Sequence, residues 1–312
     1  MDESADSRFL DPQVLARLMR QFLHARLPMV GKVSGHHKSP HRGSSVEFAE
    51  YRKYVPGDDI RRLDWRVYGR TDRFYMREFE ADTNLRCYLV IDCSASMGFA
   101  GAHGSKLDYA RRLAATLAYL IVQQGDAVGL QCFGERAVFD VPPRRNPAHL
   151  RHIFETLAKV EPKGETALIP TLHEFAEKIK QRALVMIFSD FFCNVEDLLS
   201  CFQHLRFQKH DLAVFHLLDR REIDFDFDRP VRFVDLESPG SLLAEPAVIR
   251  SHYLARLHEY LERLRQACHQ FNADYRQVVT DQDYEKVLAD FLVERTRHKG
   301  AAAAGNAAGL NR

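Results

Sequence analysis

Five oxygen-bearing side chains in this sequence occupy positions from which they could bind one metal ion: Asp92, Ser94, Ser96, Thr166 and Asp190. The first three form the segment "DCSAS", which follows an apolar run. Asp190 ends a second apolar run, "ALVMIFSD", and Thr166 lies in "KGETAL". Carboxylate and hydroxyl oxygens are hard ligands of the kind that Mg²⁺ prefers.

The two apolar runs predict buried strands of one parallel sheet. Ligands of such sheets bind beyond the carboxyl ends of the strands, where the strand order reverses, so Asp92 and Asp190 should reach the same rim. A single D-x-S could instead cap the helix and loop that follow it. The separate positions of Thr166 and Asp190 favour a shared metal site over capping.

Strands and helices alternate from residue 83 onwards, which predicts an α/β fold with a doubly wound, mostly parallel sheet flanked by helices. Buried strands are predicted at 87–92, 183–190 and 211–219, and short strands at 231–236 and 274–280. A hairpin over 126–141 adds one antiparallel strand at the edge. Amphipathic segments predict helices over 105–124, 146–160, 168–181, 195–207, 247–271 and 283–296.

The chain divides into three predicted parts. Residues 1–82 comprise an N-terminal helix over 11–27, a basic loop and a segment dense in Arg, Asp and aromatic residues, which we expect to pack on the sheet domain. Residues 83–297 form the sheet domain. The tail, residues 298–312, is of low complexity and is predicted to be disordered.

Composition narrows the functional class. The formal net charge is +1, so no global field points to nucleic acid or a membrane surface. The longest apolar stretch, "LAATLAYLIV", is about half of a membrane span, and the first residues lack the pattern of a secretory signal. The six cysteines show no metal or disulfide spacing. These features predict a cytoplasmic protein that is not inserted in a membrane.

The segment "DCSAS", the threonine of "GET" and the aspartate of "FSD" together resemble the metal-ion-dependent adhesion site (MIDAS) of von Willebrand factor A domains. The resemblance covers residues 83–296 and implies a bound Mg²⁺ or Mn²⁺ with one coordination position open for a partner's acidic side chain. It assigns Asp92, Ser94, Ser96, Thr166 and Asp190 as the ligands. Two departures are Ala95 and Glu165, which stand where glycine is common in that family; Glu165 could compete for or tune the ion.

The segment "HRGSSVEFAEYRKYVPGDDIRRLDWRVYGRT" is similar to the signature of bacterial proteins that contain "domain of unknown function 58". In that family the signature precedes an A-type domain; here Gly69 replaces the usual alanine. Members are often encoded beside MoxR-type AAA+ ATPases. The resemblance therefore implies an adaptor role with such an ATPase in metal insertion or complex maturation.

The charged residues of this signature allow two interpretations. In the first, they form a buried ion-pair network that fixes the segment to the sheet domain, because buried charges occur chiefly when paired. In the second, the segment is a docking surface with Trp65 as its anchor. The residues concerned are Asp58, Asp59, Arg61, Asp64, Trp65 and Arg70.

Two functions from different classes fit the predicted metal site. The first is a non-enzymatic adaptor that captures an acidic protein ligand through the ion. The second is a metal-dependent hydrolase that uses the ion as a Lewis acid. Such an enzyme needs a general acid or base, and the sequence supplies none near the ligands except Glu165. Neither a P-loop nor a G-x-S-x-G segment is present. We therefore favour the adaptor.

Overall fold

A computed structural model of the chain describes residues 9–24, 37–38, 47–54, 63–80, 82–83, 85–135, 137–227, 229–237 and 240–308. The chain forms two compact units. The larger contains residues 1–26 together with 86–312, and the smaller contains residues 27–85. The first helix thus groups with the sheet domain, whereas the sequence analysis placed it with the signature segment.

Helix α1, Pro12–Leu18, begins at Asp11, whose carboxylate accepts hydrogen bonds from the N–H groups of two first-turn residues. Three of its apolar side chains are buried, which accounts for its membership of the larger unit. The helix was predicted to run to residue 27, but it ends at Leu18. Beyond it the chain is held by the Gln124 side chain, which bonds the C=O of Gln21 and the N–H of Leu23 at 3.2 Å each.

The smaller unit contains strands β1 to β4 and helix α2. Its two strand pairs are antiparallel: β1 pairs with β4 and β2 with β3. The bounds are β1 His37–Lys38, β2 Glu47–Lys53, α2 Trp65–Thr71, β3 Tyr75–Glu80 and β4 Asp82–Thr83. The predicted strand "RFYMREF" therefore corresponds to β3.

Strand β2 and helix α2 both lie in described parts of the signature. Asp64 caps α2 by accepting hydrogen bonds from the N–H groups of Arg66 (2.9 Å) and Val67 (3.2 Å). Trp65 is the first residue of the helix and keeps 61% of its surface exposed, and Arg70 is also exposed. The predicted roles of Asp58, Asp59 and Arg61 lie outside the described residues.

In its described ranges, the larger unit contains ten further strands and seven further α-helices. The strands are β5 Arg86–Asp92, β6 Ala100–Gly101, β7 Gly104–Ser105, β8 Ala127–Phe133, β9 Ala137–Arg144, β10 Leu184–Ser189, β11 Asp211–Leu218, β12 Val231–Val234, β13 Ser241–Ala244 and β14 Asp274–Val279. The helices are α3 Lys106–Gln123, α4 Pro147–Lys159, α5 Leu168–Lys178, α6 Val195–Phe207, α7 Arg220–Asp224, α8 Pro246–Gln270 and α9 Tyr284–Ala308.

The main sheet has six strands in the order β14-β11-β10-β5-β8-β9. All neighbours are parallel except β9, which runs antiparallel to β8. After β5 the chain adds β8 on one side and later β10 on the other, so the strand order reverses between β5 and β10. This arrangement confirms the predicted doubly wound α/β fold. The strand predicted at 231–236 is shorter, β12, and pairs with β13 in a separate hairpin.

Apolar strands explain why the sheet lies between two layers of helices. Every residue of β10 and β11 is buried, as continuous apolar strands require. On one face, Val185 and Ile187 of β10 join a core cluster that includes Leu172 of α5 and Leu264 of α8.

The six cysteines are free thiols. Among the helices in the described ranges, none is both long enough and apolar enough to span a lipid bilayer.

Helix α9 is fixed to the sheet by a buried arginine. Arg295 is 1% exposed and forms ion pairs with Asp211 of β11 and Asp274 of β14. Its Nε donates to the C=O of His24 at 2.6 Å, so the same side chain holds the segment after α1. One cation thus joins a helix, two strands and the N-terminal segment.

The end of α9 differs from the prediction. Disorder was predicted from residue 298, but the backbone is helical to Ala308. The residues concerned are rich in alanine, which has the highest intrinsic helix propensity, and they directly extend an existing helix.

Strand β9 bulges where it passes Gly129 of β8. Val128 lies opposite Arg144 and Leu130 opposite Val141, so Pro142 and Pro143 share the space opposite Gly129. A Cβ atom at Gly129 would lie 2.7 Å from the Val141 carbonyl oxygen and 2.9 Å from the Pro143 nitrogen. Only glycine therefore fits without displacing backbone.

We expect Gly129→Ala to lower the free energy of unfolding by about 1–3 kcal/mol, the usual cost of overpacking. The reason is that the added methyl group meets backbone atoms, which cannot rotate away. Urea unfolding followed by circular dichroism measures the change. An unchanged midpoint would show that the bulge relaxes at no cost.

Candidate metal-binding site at the carboxyl rim of the sheet

The candidate site lies where the strand order reverses. β5 and β10 are parallel neighbours, so Asp92 at the end of β5 and Asp190 just after β10 reach the same rim. Both aspartates are nearly fully buried, at 1% and 2% exposure. This is the position at which open α/β sheets bind their ligands.

Asp92 is surrounded by donors. Its Oδ1 accepts a hydrogen bond from the N–H of Ser94 at 2.9 Å. Its Oδ2 accepts hydrogen bonds from the hydroxyl of Ser189 at 2.7 Å and from that of Thr166 at 3.2 Å. Asp92 and Thr166, 74 residues apart in the sequence, are therefore in contact at the rim.

The two serines lie side by side. The hydroxyl oxygens of Ser94 and Ser96 are 3.0 Å apart, at the start of a short 3₁₀ helix, Ala95–Gly98. The Ser94 side chain forms no capping hydrogen bond with this helix. The capping alternative therefore does not account for Ser94.

Backbone hydrogen bonds place Thr166 beside the serine loop. The N–H of Ala95 donates to the C=O of Gly164, and the N–H of Lys163 donates to the C=O of Cys93, both at 2.9 Å. Gly164 has a φ of +75°, a conformation that favours glycine. These bonds hold the two loops together independently of their side chains.

Asp190 has a cationic partner that the sequence did not predict. The ammonium of Lys106, the first residue of α3, lies 2.7 Å from Asp190 Oδ2 and 2.8 Å from Glu222 Oε1 of α7. Lys106 is completely buried. Burial lowers the pKa of Lys106, but the charges of Asp190 and Glu222 outweigh it, so its pKa is raised. Burial raises the pKa of Glu222.

Asp92 has no such partner within the described part of the chain, where no Lys or Arg lies within ion-pair distance of it. Burial, and secondarily the charge of Asp190, raise the pKa of Asp92 from 3.8 to about 6. A buried carboxylate without a counter-ion is costly. The electrostatics of the rim thus favour an added cation next to Asp92.

A cavity of about 500 Å³ opens beside these residues. Ser96, Thr166 and Lys106 lie in its wall, together with the exposed Glu165. The residues that follow β12 also line the cavity, and among them Glu237 Oε2 accepts a hydrogen bond from the N–H of Thr166 at 3.2 Å. The mouth of the cavity is therefore rich in carboxylates.

The residues present fit a hard divalent cation. Two carboxylates and three hydroxyls lie on one rim, and Asp92 is a buried charge that lacks a cation among the described residues. In the described ranges, no three His, Cys, Asp or Glu side chains form a metal-binding group. A set made largely of hydroxyls, as predicted here, needs no such group.

Sequence reasoning missed Ser189, Lys106, Glu222 and Glu237. One signal was available for Lys106: a lysine at the first position of a helix faces the positive end of the helix dipole, so it requires a specific partner. Ser189 directly precedes a predicted ligand. Glu222 and Glu237 follow β11 in short connecting elements, and their positions carry no sequence signal.

The strand order and the two helix layers define a doubly wound α/β domain. The chain belongs to the family described as "Protein of unknown function DUF58", which matches residues 50–260. The match includes α2 and the strands that carry Asp92 and Asp190.

The chain is similar to several known proteins. An uncharacterised protein of Mycobacterium tuberculosis is 30% identical over 233 residues, which cover 73% of this chain and 72% of that protein. An aerotolerance-related membrane protein from Bacteroides fragilis is 14% identical, with a TM-score of 0.46, over 69% of this chain and 100% of that one. The SpRpn10 VWA domain is 9% identical, with a TM-score of 0.37, over 66% and 94%.

Proposed function

We propose that this protein is a non-enzymatic adaptor that captures an acidic ligand of a partner protein through Mg²⁺ or Mn²⁺ bound at the rim. The ion would be held by Asp92, Ser94, Ser96, Thr166 and Asp190. The observation that carries the proposal is Asp92, a buried carboxylate that receives three hydrogen bonds but no cation among the described residues.

The residues around the rim would each contribute to binding the ion and the partner. Bound at the rim, the ion supplies a positive charge with one position free for a carboxylate. Ser189 orients Asp92 by donating to its Oδ2. The backbone bonds between the serine and threonine loops keep the hydroxyls in place before any ion binds. The cavity gives a partner's side chain access to the rim.

The proposed partner is a MoxR-type AAA+ ATPase, on the basis of the family resemblance. Trp65 supports a docking role for the signature segment because a large exposed aromatic side chain is a frequent anchor of protein interfaces. Trp65→Ala should therefore weaken capture of the ATPase at least tenfold while leaving metal affinity unchanged. Binding of the purified ATPase, measured by biolayer interferometry in Mg²⁺, tests this. Unchanged capture would exclude Trp65 as an anchor.

A pull-down with a MoxR-type AAA+ ATPase tests the adaptor function. Wild type should capture it in Mg²⁺ and lose it in EDTA, whereas Asp92→Asn should fail in both conditions. Asp140→Asn is the matched control because Asp140 lies on the distant edge strand β9. Equal capture by wild type and Asp92→Asn, with and without Mg²⁺, would contradict the proposal.

Turnover of generic phosphoesters by the wild type, abolished by Asp92→Asn, would establish the hydrolase alternative instead.

A further inference from the structure

Lys106 is a fully buried cation next to the candidate metal site. Its ammonium donates hydrogen bonds to Asp190 at 2.7 Å and to Glu222 at 2.8 Å. The rings of Phe99 and Phe192 flank it, with centroids 5.9 and 5.1 Å from Nζ. The ammonium is therefore held in one place and shielded from water.

A buried ammonium at this position is unfavourable unless negatively charged partners stabilise it. The start of α3 carries the positive end of the helix dipole, and a buried lysine loses its hydration. Asp190 and Glu222 compensate for both costs. The two carboxylates come from different parts of the fold: Asp190 directly follows β10, and Glu222 lies in α7.

The pairing matters for metal binding because Asp190 is also in the proposed ligand set. Asp190 Oδ2 already accepts a hydrogen bond from Lys106. Two cations that share a poorly solvated rim repel each other strongly. A divalent ion beside Asp92 must therefore share Asp190 with the ammonium or displace it.

We infer that Lys106 controls the occupancy of the rim site: it acts as a resident cation on Asp190 and sets the affinity for hard divalent cations by competing with them. Glu222 is the alternative partner of the ammonium when a metal ion takes Asp190. The inference rests on the proposed metal site and adds to it the residue that controls its occupancy.

The test is isothermal titration of Mn²⁺, and separately Mg²⁺, into the metal-free full-length chain. Lys106→Met should bind at least tenfold more tightly than wild type, because the competing charge is gone and Asp190 is released. Glu222→Gln should bind at least threefold more weakly, because the ammonium then has only Asp190. Lys178→Met, which removes an exposed lysine paired with Asp140, should bind as wild type does.

Thermal melting accompanies the titration. Metal-free Lys106→Met leaves two neighbouring carboxylates without a cation, so it should melt below wild type, and Mn²⁺ should raise its melting temperature more than that of wild type. If this variant does not fold without metal, Glu222→Gln still decides the question. Weaker Mn²⁺ binding by a Glu222→Gln variant that melts like wild type without metal supports the inference, and unchanged or tighter binding overturns it.

Lys106→Met affinity equal to or weaker than that of wild type overturns the inference. So does a Glu222→Gln variant that binds as tightly as wild type. In either case, wild-type binding that Asp92→Asn abolishes would leave the proposed metal site intact. If neither wild type nor Lys106→Met binds Mn²⁺ or Mg²⁺, the inference and the proposed metal site both fail.

Discussion

Asp92→Asn should weaken the binding of Mg²⁺ and Mn²⁺ by at least about 100-fold without unfolding the protein. Loss of an outer-shell partner alone typically costs 10–100-fold in metal affinity, so loss of a charged ligand costs more. Asparagine has the shape of aspartate and keeps an oxygen for the Ser94 N–H. The hydroxyls of Thr166 and Ser189 can rotate to accept from the new amide. Titration calorimetry on metal-free protein measures the affinity.

The same variant should change how stability depends on pH. Burial raises the pKa of Asp92 from 3.8 to about 6, so the folded state binds the proton more tightly than the unfolded state does. The free energy of unfolding of the metal-free wild type should therefore fall as the pH rises from about 4 to about 6. Asp92 should account for about 3 kcal/mol of this fall. Asp92→Asn lacks this loss.

Urea unfolding of both proteins in EDTA between pH 4 and 7.5 isolates the contribution of Asp92 as the difference between their curves. At pH 7.5 the variant should be the more stable protein. If Asp92→Asn is less stable than wild type at every pH, the prediction is wrong. The Asp92 carboxylate would then stabilise the fold even when it is ionised.

Arg295→Met should lower the free energy of unfolding by about 3–5 kcal/mol, the largest stability effect we expect in this chain. The substitution leaves Asp211 and Asp274 as buried charges without their arginine, and breaking a buried ion pair from one side has this cost. The segment after α1 also loses the hydrogen bond between Arg295 and the His24 carbonyl. Chemical denaturation followed by far-UV circular dichroism measures the loss.

Arg17→Met provides the matched control for Arg295→Met. Arg17 forms an ion pair with Glu285 of the same helix α9, but its side chain is 59% exposed. Exposed ion pairs contribute at most about 1 kcal/mol. If the two variants unfold at the same denaturant concentration, Arg295 is not what fixes α9 to the sheet.

The fold could be predicted because its determinants are local. Unbroken apolar runs such as 184–189 indicate buried parallel strands, and the intervening amphipathic segments indicate the helix layers. The contact between Asp92 and Thr166 also followed from this logic, because both residues were placed at the same rim of one sheet.

The other features of the site could not be predicted from the sequence, because they depend on contacts between segments that are far apart in the chain. Lys106 pairs with carboxylates 84 and 116 residues away, and nothing near it in sequence indicates either partner. The hairpin end that carries Glu237 reaches Thr166 across 71 residues. The chain beyond the end of α1 is likewise held by a remote side chain, that of Gln124.

The two prolines of β9 determine how other chains can approach this sheet. β9 is an edge strand, and an edge strand invites another chain to add a strand through its free N–H and C=O groups. Pro142 and Pro143 have no N–H to offer, so the second half of β9 is a poor template for strand addition. Aggregation through this edge is thereby disfavoured, and a partner that recognises the domain by its backbone would have to pair with residues 137–141 or with β14 at the opposite edge.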